Sequence, residues 1–249
     1  KERPEIPVEK IIEVRNNTKK IDFSKPYLFI RTGLLYDLLL IPFWFLALFF
    51  VGGSAVWLGL KVKGRKNLRV MKKQGCIVVS NHCHYFDTVF TSWTIFPRRL
   101  YITVVQRNFE VPVVRILLKI FRAIPIPSSP AGFKMITKPI GEALARGHNV
   151  MFLPEGELVV MSQTIHRFRP GAFYQSYIHQ VPVVPFVYVI RKRDFFGQDI
   201  GAAGARITQV IGEAVYPPKP TGEKGFPKKE LDEMADIVAG WMERTIAEY

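Results

Sequence analysis

The stretch VVSNHCHYFDTVF, Val78–Phe90, changes character twice within a short span. It opens on β-branched apolar residues, passes through Asn81, His82, Cys83, His84 and Asp87, and returns to apolar residues. Two of the chain's five histidines stand here. The run CIVVS, continuous and β-branched, reads as a strand buried on both faces. DTVFTSWTIF reads as the helix that follows, with Asp87 as its N-cap. A strand that ends at Asn81 and a helix that starts at Asp87 put His82 and Asp87 on either side of a turn. On one continuous helix the five-residue step would set them about 140° apart, and on one strand it would send them to opposite faces. They meet only if the chain turns between them.

Outward from this stretch the alternation continues. AVWLGLKVKG, LYITVVQ, AIPIP, NVMFLPEG, VPVVPFVYVI and ARITQVIGEAVY read as strands or extended pieces. VPVVRILLKIFR, AGFKMITKPIGEALARG, GAFYQSYIHQ and the C-terminal KKELDEMADIVAGWMERTIAEY read as helices. The pattern predicts an α/β fold, a sheet flanked by helices, with chemistry gathered at strand ends. Three regions are expected: a polar extension over 1–26, a hydrophobic segment over 27–60 and a catalytic domain over 61–249. The glycine-containing GQDIGAAGA, Gly197–Ala205, lacks GxGxxG order and reads as a loop between strands.

With 249 residues, 48% of them hydrophobic, the chain can bury a full core and is not disordered. Its net charge of +14 implies a polyanionic partner. From Leu38 to Leu60 there is no charged residue, a length that reaches across a bilayer core as a helix. Pro42 and Gly52–Gly53 interrupt that run and predict a kink or a reversal, so a membrane-embedded helical hairpin or kinked helix is favoured over a straight span. Lys61, Lys63, Arg65, Lys66, Arg69, Lys72 and Lys73 follow at once, without an acid among them. Basic residues beside an apolar segment are drawn to anionic headgroups and place this side in the cytoplasm. No nucleic-acid-binding motif accompanies the basic patches. Cys76 and Cys83 lie at opposite ends of the expected strand, so a disulfide is not expected and a reducing compartment is. The chain begins at Lys1, reads as a fragment or processed chain, and says nothing through a missing signal peptide.

A carboxylate on the Nδ1 side of an imidazole fixes its tautomer and leaves Nε2 as a base near neutral pH. No GxSxG nucleophile elbow is present, and Cys83 reads as a structural cysteine, so the base would deprotonate a substrate hydroxyl directly. Two other readings stay open at this level. His82, His84 and Asp87 could begin the metal site of a hydrolase, although no HExxH completes it. A non-catalytic, membrane-bound, polyanion-binding protein would explain the charge and the apolar segment.

NHCHYFD resembles the NHxxxxD (HX4D) block of the glycerolipid acyltransferases of the 1-acyl-glycerol-3-phosphate acyltransferase, PlsC-like, family. FLPEG resembles that family's FPEG signature, FRPGAF its FKxGA segment and VPVVPF its proline-bracketed strand, in order from about Val62 to Val189. An N-terminal hydrophobic helical motif is similarly typical. The resemblance implies an O-acyltransferase in which His82 activates the acceptor hydroxyl and Asp87 orients it. It implies acceptor binding at Glu155 and Gly156, and an acyl site near Val181 to Pro185. It implies acyl-CoA or acyl-carrier protein as co-substrate, no metal or other cofactor, and a lysophospholipid acceptor at the anionic cytoplasmic leaflet. The family usually continues its second signature as EGTRS, its arginine reaching the acceptor phosphate, whereas this chain reads EGELVV with Glu157 and Leu158. The preceding extended piece often ends in arginine, where this chain has Ser128. Arg107, Arg122, Arg167 and Arg169 are the candidates to take over phosphate binding, with Arg107 and Arg169 preferred. A bare phosphate monoester and a larger headgroup are both open as acceptors.

Overall fold

The computed structural model describes residues 2–7, 34–127, 130–195, 198–199, 201–220 and 227–249. A helix, α1 (Leu34–Trp57), leads into a short strand, β1 (Lys61–Lys63), and a 3-10 helix over Arg65–Lys72. Then come β2 (Ile77–Ser80), α2 (Asp87–Ile95), β3 (Leu100–Val105), α3 (Gln106–Phe109), α4 (Pro112–Ile120), β4 (Ala123–Ile126), α5 (Pro130–Ala145) and β5 (Asn149–Phe152). After a long irregular loop follow α6 (Gly171–His179), β6 (Val183–Arg191), the two-residue strands β7 (Asp194–Phe195) and β8 (Gln198–Asp199), β9 (Arg206–Ile211) and α7 (Lys228–Glu248).

Seven strands form one sheet in the order β1-β9-β6-β2-β5-β3-β4, parallel throughout except where β6 meets β9. β2 lies in the interior, with Val78 opposite Met151 of β5 and Val184 of β6. All four of its residues are buried, as the unbroken β-branched run demands. Ile77 and Val79 pack toward α5, α6 and α7, whereas Val78 faces Ile95, Leu68 and Met71 on the other side. Burying each such side chain contributes about 1.5–3 kcal/mol. A third cluster joins Leu58, just past α1, to Phe90 of α2 and to Tyr188 and Ile207 of the sheet.

Two expectations fail at the N-terminal side. The helix runs through both Gly52 and Gly53 to Trp57, with Pro42 also inside it, so the reversal does not occur there and the strand expected from Ala55 starts only at Lys61. A helical glycine costs only about 1 kcal/mol, which the surrounding apolar run absorbs, and Gly52 passes close to Trp93 of α2. No helix among the described residues is long and apolar enough to cross a membrane. The part of the expected motif from 27 to 33, most of the polar extension and Ser128 lie outside the described residues. The described start of the extension packs on the C-terminal helix, where Arg3 Nε donates to Glu243 at 2.8 Å and Arg3 also pairs with Asp236. The basic residues after α1 are exposed, while Leu68 and Met71 between them point into the core.

Candidate active site

The turn after β2 is held before any chemistry is considered. The Asn81 side-chain amide donates to the Tyr188 carbonyl at 3.0 Å and accepts the Tyr188 N–H at 2.8 Å, pinning the strand end to β6. His84 is buried, with Nδ1 accepting the Phe86 N–H at 3.2 Å and Nε2 lying 3.0 Å from the Ala202 carbonyl. Cys83 is a free, fully buried thiol whose pKa burial drives well above its usual value, which fits a packing role and not a nucleophile. Cys76 is also free and buried, its thiol pushed up to about 12 by burial.

Across this turn His82 Nδ1 lies 2.7 Å from Asp87 Oδ2. Asp87 is not the N-cap. Phe86 occupies that position, and Asp87 is the first helical residue of α2, its Oδ1 accepting the Thr88 N–H at 2.6 Å. The carboxylate thus sits at a helix N-terminus, where exposed N–H groups favour negative charge. It is fully buried, whereas a fifth of the His82 side chain remains exposed. Because a carboxylate accepts, Nδ1 carries the proton and Nε2 is left with its lone pair. Burial opposes protonating His82, yet the Asp87 charge and hydrogen bond, with smaller contributions from Glu155 and Glu157, raise its pKa above the usual value.

The first turn of α2 is fastened from beneath. The buried Tyr188 hydroxyl donates to the Asp87 carbonyl at 2.5 Å and lies 2.8 Å from Thr91 Oγ1. Gln209 of β9 donates to the same hydroxyl and accepts from Thr94 at 2.6 Å. Burial raises the Tyr188 pKa well above its usual value, so it stays a neutral donor. These residues lie far apart in sequence on three elements, and no local pattern marks them.

Glu155 and Gly156 form the turn after β5, beside His82. Glu155 Oε1 accepts the His82 backbone N–H at 3.3 Å, while Oε2 accepts the His166 backbone N–H at 3.2 Å and lies 2.8 Å from His166 Nδ1. Glu155 is buried and engaged by protein groups, so it braces the turn. His166, which the sequence leaves as a scattered histidine, is part of that brace. Gly156 has φ +86°, and a Cβ added there would come within 2.6 Å of Arg169 Nε. Gly156→Ala is therefore expected to cost about 1–3 kcal/mol and to displace Arg169. A thermal melt together with KM for the acceptor checks both parts.

His82, Gly156, Glu157 and Arg169 open onto one pocket of about 1170 Å³. It lies at the carboxyl ends of β2, β3, β4 and β5, lined there by Val104, Val105, Ile126, Leu153 and Pro154. Val51 of α1, Trp93 of α2 with Phe96 just past it, and Leu118 of α4 with Phe121 just past it make an apolar wall. The volume exceeds the ~300–1,000 Å³ of usual small-ligand sites. Of the four candidate arginines, Arg107 and Arg169 line it, and Arg107 pairs with Glu157. Arg167 instead pairs with Glu5 at 3.1 Å on the surface, and Arg122 is not among the lining residues. Val181 to Pro185 do not line the pocket either. They enter the middle of the sheet, where Val183 packs in the core with residues of α6 and α7.

The metal reading loses its geometry. His84 turns from the pocket to the Phe86 N–H and the Ala202 carbonyl, and among the described residues no group of three or more His, Cys, Asp or Glu is arranged to hold a metal ion.

A family model described as Acyltransferase matches residues 59–189, more than half of the chain. No curated protein matches it. Among solved structures, the fold is similar to that of the 1-acyl-sn-glycerophosphate (LPA) acyltransferase PlsC from Thermotoga maritima, with a TM-score of 0.54 at 14% identity over 86% of this chain and 95% of that one. The likeness carries the fold, a mixed sheet flanked by helices.

Proposed function

Because this chain belongs to the acyltransferase family, we propose that it is a membrane-associated O-acyltransferase. It moves a fatty acyl group from acyl-CoA or acyl-carrier protein to the free hydroxyl of a lysoglycerolipid at the cytoplasmic leaflet. The observation that carries this reading is the His82–Asp87 pair, 2.7 Å apart, at the polar end of a large, mostly apolar pocket.

His82 Nε2 takes the acceptor's hydroxyl proton as the oxygen attacks the thioester carbonyl. The new C–O bond forms, the tetrahedral intermediate collapses with loss of the C–S bond, and the departing sulfur takes the proton back from the imidazolium. An ester and a free thiol result, and His82 returns to its neutral form. A thioester is already activated, so a positioned base and an anchored acceptor suffice without a covalent enzyme intermediate or a further cofactor. Glu155 and His166 serve as positioning residues through the His82 backbone.

Arg107, Arg169 and Glu157 all line the pocket, and Arg107 pairs with Glu157. Arg169 is exposed there and pairs with no acid among the described residues, which makes it the phosphate contact. Glu157 puts a negative charge near the phosphate position. It favours an acceptor whose headgroup lowers or offsets the phosphate charge over one ending in a bare monoester. A panel comparing lysophosphatidic acid with lysophospholipids bearing ethanolamine, choline or glycerol headgroups tests this choice. Arg169→Ala is expected to raise the acceptor KM about 10–100-fold, the scale of one or two charge-assisted hydrogen bonds, with little change in kcat. Equal turnover of every acceptor and an unchanged KM would remove both assignments.

A further inference from the structure

Helix α4 has its apolar side facing out. At 100° per residue, Ile116, Ile120, Leu117 and Val114 occupy one arc of about 160°. Ile116 is 60% exposed, Leu117 49% and Val114 37%, whereas Arg115 and Lys119 share the other flank and are half-buried. Leu118 and, just past the helix, Phe121 turn inward to line the pocket. A single exposed leucine is ordinary, but an apolar arc over Val114–Ile120 marks an interaction surface.

What it faces follows from its neighbours. The pocket wall is shared by α1 through Val51, by the end of α2 through Trp93 and Phe96, and by α4 through Leu118. All three elements expose large apolar side chains: Phe45 and Phe49 on α1, Phe96 at 61% after α2, and Ile116 on α4. Each element that walls the pocket thus also carries apolar residues on its outside. Arg115, on a long aliphatic stem beside the arc, can extend to the headgroup level while its stem stays apolar. The chain's net charge of +14 favours an anionic surface over a neutral one.

We propose that α4 is a second, interfacial membrane contact, lying along the boundary of headgroups and acyl chains of an anionic phospholipid leaflet, so that lipid substrates pass from bilayer to pocket between α4 and the end of α2. This rests on the membrane-associated reading above. It differs from the expected anchor at α1 in being placed directly on the pocket wall. A helix of this kind sinks its apolar arc roughly 5–10 Å into the leaflet and binds through buried apolar area together with basic charge.

The test uses the full chain, with vesicles of phosphatidylcholine and phosphatidylglycerol in equal parts. The double variant Ile116→Ser, Leu117→Ser is expected to bind these vesicles at least about tenfold more weakly. It should also lose turnover of lysolipid presented in vesicles, while keeping its melting temperature and its turnover of monomeric lysolipid. Ile237→Ser, an exposed apolar residue of α7 outside the pocket lining, is expected to change neither. In a separate variant, Leu117→Trp, the additional tryptophan emission is expected to move to shorter wavelength when vesicles are added. If wild type binds vesicles, but the double variant binds them equally well and the Leu117→Trp emission does not move, the role of α4 is overturned and the membrane reading stands. If wild type binds no vesicles, the membrane reading falls and the role of α4 with it. If lipid-free wild type is a dimer and the double variant a monomer, the arc belongs to a second copy of this chain and the lipid assignment is overturned.

Discussion

His82→Ala is expected to lower kcat/KM by about 10³–10⁴-fold, the upper part of the range for losing a general base. The fold should survive, because the groups around the imidazole keep their other hydrogen bonds. Asp87 keeps the Thr88 N–H at 2.6 Å, and its backbone stays tied to Tyr188. Asn81 keeps both hydrogen bonds to β6, and Glu155 still accepts the backbone N–H at position 82 and the His166 pair. The stability cost should be about 1–3 kcal/mol, because the buried Asp87 Oδ2 loses its Nδ1 partner. Single-turnover acyl transfer and a thermal melt, run on the same preparation, separate the two effects. Near-normal turnover would show that another group takes the proton, and the assigned mechanism would fail. A collapse of the melt would instead show that the imidazole holds the turn.

The turn itself was readable because two local rules meet there. A continuous β-branched run and an apolar run opening on an acid place His82 and Asp87 across a strand-to-helix junction, and the structure sets them 2.7 Å apart. The cap assignment missed by one residue, since Phe86 and not Asp87 takes that position. Propensity alone does not distinguish a carboxylate that caps from one that sits in the first turn. The support beneath was not readable at all. Tyr188 and Gln209 meet Thr91 and Thr94 only because β6 and β9 pair antiparallel next to β2, a contact made by topology. His166 reaches Glu155 from an irregular loop without periodicity. The apolar N-terminal run was readable as helix, but its end was not, because Val51 and Ala55 pack with Phe90 of α2 and the helix runs on past two glycines to Trp57.

Asp87→Asn separates orientation from basicity. The amide carries a donor where the carboxylate had only lone pairs. With its oxygen turned to the N–H groups at the helix start, its NH₂ faces His82 and asks Nδ1 to accept. That selects the tautomer with its proton on Nε2, the nitrogen meant to take the acceptor's proton. Turnover is expected to fall roughly 10³–10⁴-fold, the scale of the same exchange in hydrolytic triads. The pH dependence supplies a second readout. In the wild type burial opposes protonation of His82 but is outweighed by Asp87, with help from Glu155 and Glu157, so its folded pKa lies above the unperturbed ~6.5. Neutral His82 is the active form, which puts the acid limb of kcat/KM above that value. Removing the Asp87 charge leaves burial less opposed, and the limb of the residual activity should move to lower pH. Stability carries the opposite sign. A raised folded pKa stabilises the wild type fully below the unfolded pKa, and that contribution is lost as pH rises through the folded one. The stability gap between wild type and Asp87→Asn attributable to His82 should therefore be widest below about pH 6.5 and shrink toward alkaline pH. Denaturant titrations at several pH values measure it. A gap that widens with pH, or a limb that does not move, would mean that Asp87 is not the partner that sets the charge on His82.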